Sequence, residues 1–317
     1  MHPDLLALAR SQGGPFTAAQ ARAAGYDAAE VTRLVGAGEW QRVRRGVYAE
    51  TALTVGATPD DLHLLALRGL LLAARHPLVA SHVTAAVVHG LPLLQPDLSR
   101  VHVTRRDLRG SRTEAGVVHH GAALPPGHVV SVRRLAVVAP ARAAVDVART
   151  SSYAAAVAAC DSALRAGVTR DELRDVLLAC ASWPGARGAS RAVAFADGLA
   201  ANPGESLARV RLAELGLPPP LLQVELRDAT GRIGIVDFLW AEHGVVGEFD
   251  GKVKYDGTYG DGRQVLYDEK RREDRLRALG FVVVRFGWAE LHAPRSLEQL
   301  VRTAFARSAA GRSQRPA

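Results

Sequence analysis

The chain has 317 residues, 48% of them hydrophobic, which allows two or three domains with real cores and excludes an intrinsically disordered chain. Its formal net charge is +8, from 40 Lys and Arg against 32 Asp and Glu, and its excess of arginine, concentrated mid-chain, suits either a phosphate backbone or a solvated arginine surface. The longest apolar stretches, such as 62–74 with its His63 and Arg68, are too short to span a bilayer, and the N-terminal MHPDLLALARSQGG lacks the basic start of a secretory signal.

Residues 1–50 read as three short helices and a hairpin. The apolar segment 5–10 is helical. Thr17 caps a second helix that ends at Gly25, and Asp27 caps a third, whose Val31, Leu34 and Val35 share one face. WQRVRRGVYA then alternates around Arg42, Arg44, Arg45 and Gly46 as a two-stranded wing would, completing the order of a winged helix-turn-helix. The third helix offers a DNA groove only Glu30, Thr32 and Arg33, whereas base reading draws on Arg, Asn or Gln. Arg33, Arg42, Arg44 and Arg45 are therefore expected to hold phosphates rather than read sequence. A winged fold used for protein contacts is the competing reading. The segment, including GEWQRVRRGVYA, resembles the N-terminal domain of AbiEi-type antitoxins. That resemblance implies DNA binding and a cognate toxin or defence-system partner.

Residues 51–150 read as an α+β region. A buried helix begins near Asp60 or Asp61, SHVTAAVVHGL follows, and short β-type runs come at 101–104, 116–120 and 135–139. Pro140 then opens a helix, PARAAVDVAR. These two strings are also similar to the middle part of AbiEi-type proteins. Within 100–149, nine arginines face three acids, so this is the most basic part of the chain. His82, His89, His119 and His120 lack the paired Cys/His spacing of a metal site and are expected to be hydrogen-bonded core or surface residues. Residues 151–201 read as a helical connector. Cys160 and Cys180 fall in its helices and are expected to be reduced core residues of a cytoplasmic protein.

From Asn202 to about residue 308 the pattern is helix, strand, strand, strand, helix, strand, with a frayed tail from Ser308. All three lysines of the chain, Lys252, Lys254 and Lys270, lie in this part beside the acids Asp237, Glu248 and Asp250. If the strands at 233–240 and 244–250 join through a two-residue turn at Glu242 and His243, Asp237 falls directly opposite Glu248, with Asp250 on the same face as Glu248. Like charges facing each other in apolar surroundings call for a proton or a cation. A hard divalent ion, Mg²⁺ first and Mn²⁺ as the alternative, would resolve the conflict and activate water. Glu205, three residues after Asn202, is placed to complete a capping box. On the second helix, the stripe that includes Val265, Leu276 and Leu279 passes through Glu269 and Arg272. These two are expected to face the sheet, either as an internal ion pair or, with Lys270 or Arg272, as a phosphate ligand.

The order of elements matches an αβββαβ core. ESLARVRL, VDFLW, EFDGKVKY and EKRREDRLRALGFVVVRF resemble a domain of unknown function related to very-short-patch repair endonucleases, in the PD-(D/E)xK nuclease superfamily. The resemblance covers about 203–292. It implies a metal near Glu205, Asp237, Glu248 and Asp250, with a lysine for the phosphate. One departure stands out: the superfamily lysine position is Asp250, so Lys252 or Lys254 would have to take over. The expected architecture is thus α/β multidomain, with a winged helix-turn-helix (1–50), an α+β middle (51–150), a helical connector (151–201) and a restriction-endonuclease-like core (202–308). The main functional expectation is a metal-dependent DNA endonuclease. The alternative is a non-catalytic DNA-binding regulator of antitoxin type that keeps the nuclease fold as a scaffold.

Overall fold

Side-chain caps decide where the first helices begin. Helix α1 (Pro3–Ser11) opens on proline, while α2 (Ala18–Ala23) and α3 (Ala28–Gly36) open on capping boxes, Thr17 with Gln20 and Asp27 with Glu30. Strands β1 (Phe16–Thr17), β2 (Trp40–Arg44) and β3 (Val47–Glu50) form a sheet in the order β1-β3-β2. Leu5, Phe16, Leu34 and Trp40 make the core beneath it, with the Phe16 and Trp40 rings edge to face at 4.7 Å.

The computed structural model describes residues 1–251 and 262–313. Among them the chain is a mixed α/β multidomain protein with three sheets and thirteen α-helices. It divides into two compact units, one of 1–91 with 95–147 and one of 92–94 with 148–317.

In the first unit the three helices and hairpin are followed by α4 (Pro59–Ala73), β4 (Val79–Ala80), α5 (His82–His89), β5 (Val101–Arg105), β6 (Ser111–Glu114) and β7 (Val117–Gly121). Strands β8 (Val129–Val132) and β9 (Leu135–Val138) and helix α6 (Pro140–Thr150) complete the region. The sheet order is β6-β7-β5-β4-β9-β8. Three of its strands, β4, β6 and β8, carry no readable pattern. The first has two residues, and all four residues of β6 are exposed, so neither shows an apolar alternation. Leu67, Leu70, Val103, Val117 and Val137 fill the core of this sheet. On α6, Arg142 and Asp146 pair at 2.9 Å one turn apart, both buried.

In the second unit α7 (Tyr153–Arg165), α8 (Arg170–Ala179) and α9 (Ala186–Phe195) precede α10 (Pro203–Glu214). These helices pack onto the unit rather than merely linking it: Arg209 of α10 reaches the buried Asp161 of α7 at 2.9 Å. Cys160 and Cys180 are both buried, and burial pushes the Cys160 thiol up to about 12. Then come β10 (Leu221–Asp228), β11 (Gly231–Trp240), β12 (Val245–Asp250), α11 (Gly262–Ala278), β13 (Val282–Gly287), α12 (Trp288–His292) and α13 (Pro294–Ser313). The sheet order is β10-β11-β12-β13, with β12 and β13 parallel and the other pairs antiparallel. One face packs Phe238, Trp240 and Phe286 against Leu207, Leu212, Leu297 and Val301 of the flanking helices. The other packs Val236, Leu239 and Val246 against Leu276 of α11. The expected fraying from Ser308 is corrected as far as Ser313. Helix α13 continues because Ser308 is buried and Arg312 donates to the Glu242 carbonyl at 2.8 Å. No described helix is long and apolar enough to cross a membrane.

Candidate functional site

The hairpin of the first unit is built to present arginines. Arg45 and Gly46 form its two-residue loop, and a bulge between Arg42 and Arg44 breaks the alternation. Val43 packs onto Gly69 of α4, where any Cβ would lie 2.8 Å from a Val43 methyl carbon, so the absence of a side chain there permits the docking. Arg42 and Arg45 remain exposed. Arg44 turns into a cleft of about 170 Å³ that Arg75, Arg105, Arg112, Glu114 and His119 also line. Burial lowers the pKa of Arg44, while Glu114 raises it. Two of the cleft cations already have partners, Arg105 with Asp107 at 2.5 Å and Arg112 with Glu114 at 3.6 Å. On α3, Arg33 is exposed and only loosely paired with Glu39 at 3.9 Å. Thr32 donates to Ala28, and Glu30 is spent on its capping box. Sequence reading singled out Arg44 but not Arg75, Arg105 or Arg112; the one available signal was the excess of arginine between 100 and 149.

In the second unit the acids separate into two groups. Asn202 caps α10 by accepting from the Gly204 and Glu205 amides. Glu205, 3% exposed, folds back to accept from the Ala201 amide and the Asn202 side-chain amide, both at 2.7 Å. These bonds differ from the expected capping box, in which Glu205 would accept from the Asn202 backbone amide. Glu205 also meets Gln223 on β10, whose side-chain nitrogen donates to Glu205 at 3.0 Å and to Asp237 at 3.2 Å. Gln223 adopts φ +49, a strained conformation for a non-glycine residue. Asp237 uses its other oxygen to accept from the Phe249 amide at 2.9 Å. Burial first, and the Asp237 charge further down, push the Glu205 carboxyl up to about 7. Gly204 allows the approach of this helix end: a Cβ there would sit 2.1 Å from the Phe249 ring.

Glu248 belongs to a different network. The expected register holds over Phe238, Leu239 and Trp240, around a loop that spans Ala241 to Gly244 rather than two residues, but the pairing does not extend to Asp237 and Glu248, and Asp237 accepts from the Phe249 amide instead. Yet the Glu248 carboxylate lies 2.6 Å from Arg272 of α11 and 3.3 Å from Arg285 of β13. The Arg272 contact is an ion pair without hydrogen-bond alignment. Arg272 also donates to the Ile235 carbonyl at 2.7 Å, and Arg285 reaches Glu269 at 2.5 Å and Glu273 at 3.1 Å. Burial pushes the Glu248 carboxyl up against the pull of these two cations.

Three expectations change accordingly. Asp237, Glu248 and Asp250 do not bring three ligand atoms within 4.8 Å of one another, and Asp237 and Glu248 serve different partners. Arg272 neutralises Glu248 and is not left open for a phosphate; the internal ion pair prevails, widened to include Arg285, which sequence reading missed. Lys270 is exposed on α11 and stands outside the network. Lys252 and Lys254 lie outside the described residues.

Residues 3–51 match the family described as transcriptional regulator, AbiEi antitoxin, so the N-terminus carries an antitoxin-like regulator domain. Two proteins of Mycobacterium tuberculosis, uncharacterized protein MT2308 and uncharacterized protein Rv2248 from two strains, are each 30% identical to the chain over 244 residues. The match covers 77% of this chain and 83% of theirs. At that identity and coverage, the chain belongs to the family of these mycobacterial proteins.

Proposed function

We propose that the protein is a DNA-binding transcriptional regulator of antitoxin type, with a winged helix-turn-helix in residues 1–50 and a nuclease-like αβββαβ core that serves as a scaffold. The observation that carries this reading is the hairpin: Arg42 exposed on its first strand and Arg45 at its tip, with Arg44 facing a cleft that holds three further arginines. Such a surface holds phosphates with little base reading, so affinity is set mainly by counterion release. A cognate toxin or defence-system partner follows from the same reading. The ion pairing of Glu248 supports the scaffold role, since its charge is met by Arg272 and by a share of Arg285.

The test is binding of the purified chain to duplex DNA from upstream of its own reading frame, measured across salt concentrations. Binding that weakens with salt and with Arg42→Ala/Arg45→Ala supports the proposal; no binding at low salt defeats it.

A metal-dependent endonuclease is the second reading. Glu205 and Asp237, two carboxylates sharing one amide nitrogen on a strained residue, favour it. Because the expected metal ligands do not converge, no hydrolytic step is assigned to them. Plasmid nicking in Mg²⁺ or Mn²⁺ that Asp237→Ala abolishes would establish this reading over the first.

A further inference from the structure

Three histidines far apart in sequence meet on one sheet of the first unit. His102 lies on β5 and His120 on β7, both on the face opposite the core residues Val101, Val103 and Val117. His82 opens α5 beside them. One nitrogen from each ring lies within 4.8 Å of the other two, and among the described residues no other group of three His, Cys, Asp or Glu does this. Nδ1 of His102 is 3.0 Å from Nε2 of His120, and the His82 and His120 rings stack at 3.7 Å.

The surroundings orient these rings. His82 is held at φ +52, in the left-handed region that a histidine adopts only at a cost. Ser81 occupies the N-cap position of α5 but makes no side-chain cap bond; its buried hydroxyl instead lies 3.1 Å from His82 Nδ1. Ser111 lies 3.3 Å from His120 Nδ1, on the far side of that ring from His102. A metal-binding imidazole is aimed in this way, by a polar partner on its second nitrogen. The other histidines nearby are accounted for differently. His63 bridges the Leu98 carbonyl and Thr84, and His89 bonds the Val138 carbonyl.

We propose that His82, His102 and His120 form a binding site for a borderline divalent transition-metal ion, zinc by ligand chemistry. Three neutral imidazoles without a carboxylate suit Zn²⁺ and not Mg²⁺ or Ca²⁺, and leave a fourth position for water. Tetrahedral bonds of about 2.0–2.1 Å put ligand nitrogens about 3.3 Å apart, so His102 and His120 are already close to that spacing, while His82 would move in by up to about 1.5 Å and turn out of its stack with His120 so that both lone pairs meet the ion. The sequence conceals the site because its ligands come from a helix start and two strands that are neighbours only after folding.

The test uses the full chain, stripped of metal and offered Zn²⁺, then Co²⁺. About one equivalent of Zn²⁺ should survive gel filtration, and Co²⁺ should give the visible absorption of a tetrahedral nitrogen-rich site that Zn²⁺ then displaces. His120→Ala should weaken Zn²⁺ binding at least about 100-fold, Ser111→Ala about tenfold, and His243→Ala in the other unit not at all. Ser111 is exposed, so its variant reports on the site even if His120→Ala does not fold. Uptake below about 0.1 equivalent, a Co²⁺ spectrum of purely octahedral type, or affinity unchanged by Ser111→Ala and His120→Ala would overturn the proposal.

Discussion

Arg272→Met isolates the ion network that separates a scaffold from a metal site. Methionine keeps much of the arginine stem and removes the guanidinium that lies 2.6 Å from Glu248. Glu248 is 9% exposed and would be left with Arg285 at 3.3 Å, a cation already shared with Glu269 and Glu273. Stranding one member of a buried pair costs about 3–5 kcal/mol when nothing else compensates. With Arg285 still in place, a loss of about 2 kcal/mol is expected, or about 4–8 °C in the midpoint of a unit of this size. Thermal unfolding followed by tryptophan fluorescence reads it, since Trp240 and Trp288 both pack in the C-terminal core. Glu248→Leu with Arg272→Met should recover most of the loss, because no charge is then left stranded. Adding Mg²⁺ to the single variant should not restore stability. A midpoint within about 1 °C of the parent, or a double variant no better than the single one, would refute the ion-pair account.

Other consequences are equally direct. Gly204→Ala should cost about 1–3 kcal/mol, read as a lower urea midpoint, because the new methyl collides with the Phe249 ring; an unchanged midpoint would mean that the helix end shifts freely. Glu205 carries a folded pKa of about 7 against an ordinary 4.5, so the folded state holds its proton more tightly than the unfolded chain. Its contribution is therefore most favourable below the ordinary value and fades as pH rises from about 4.5 through about 7. Melting curves at about pH 5 and about pH 8 should differ more for the parent than for Glu205→Gln, and equal differences would contradict the buried-carboxyl assignment.

Local rules made much of the fold legible. Thr17 and Asp27 announced their helices because capping is a short-range bond between residues three apart. The register of β11 against β12 followed from its turn region over Phe238 to Trp240, even though the loop proved longer and the pairing does not extend to Asp237. What the sequence hid was direction. Gln223 leaves the extended region, and through it Asp237 is tied to Glu205 on α10, while Glu248 turns to arginines on α11 and β13. Which helix brings a compensating cation to a strand acid is a tertiary fact, and alternation along one strand cannot report it. The basic cleft was hidden for the same reason, since Arg44, Arg75, Arg105 and Arg112 come from separate elements.

The salt dependence of DNA binding bears most directly on the regulator account. Each phosphate contact made by an arginine contributes about 0.9 to the slope of log K against log salt, so Arg42→Ala/Arg44→Ala/Arg45→Ala should lower its magnitude by about 2–3 and weaken binding alike across DNA sequences. A slope unchanged by the triple substitution in a folded chain would place the DNA surface elsewhere, and the absence of any salt-dependent binding in the parent would contradict the regulator account itself.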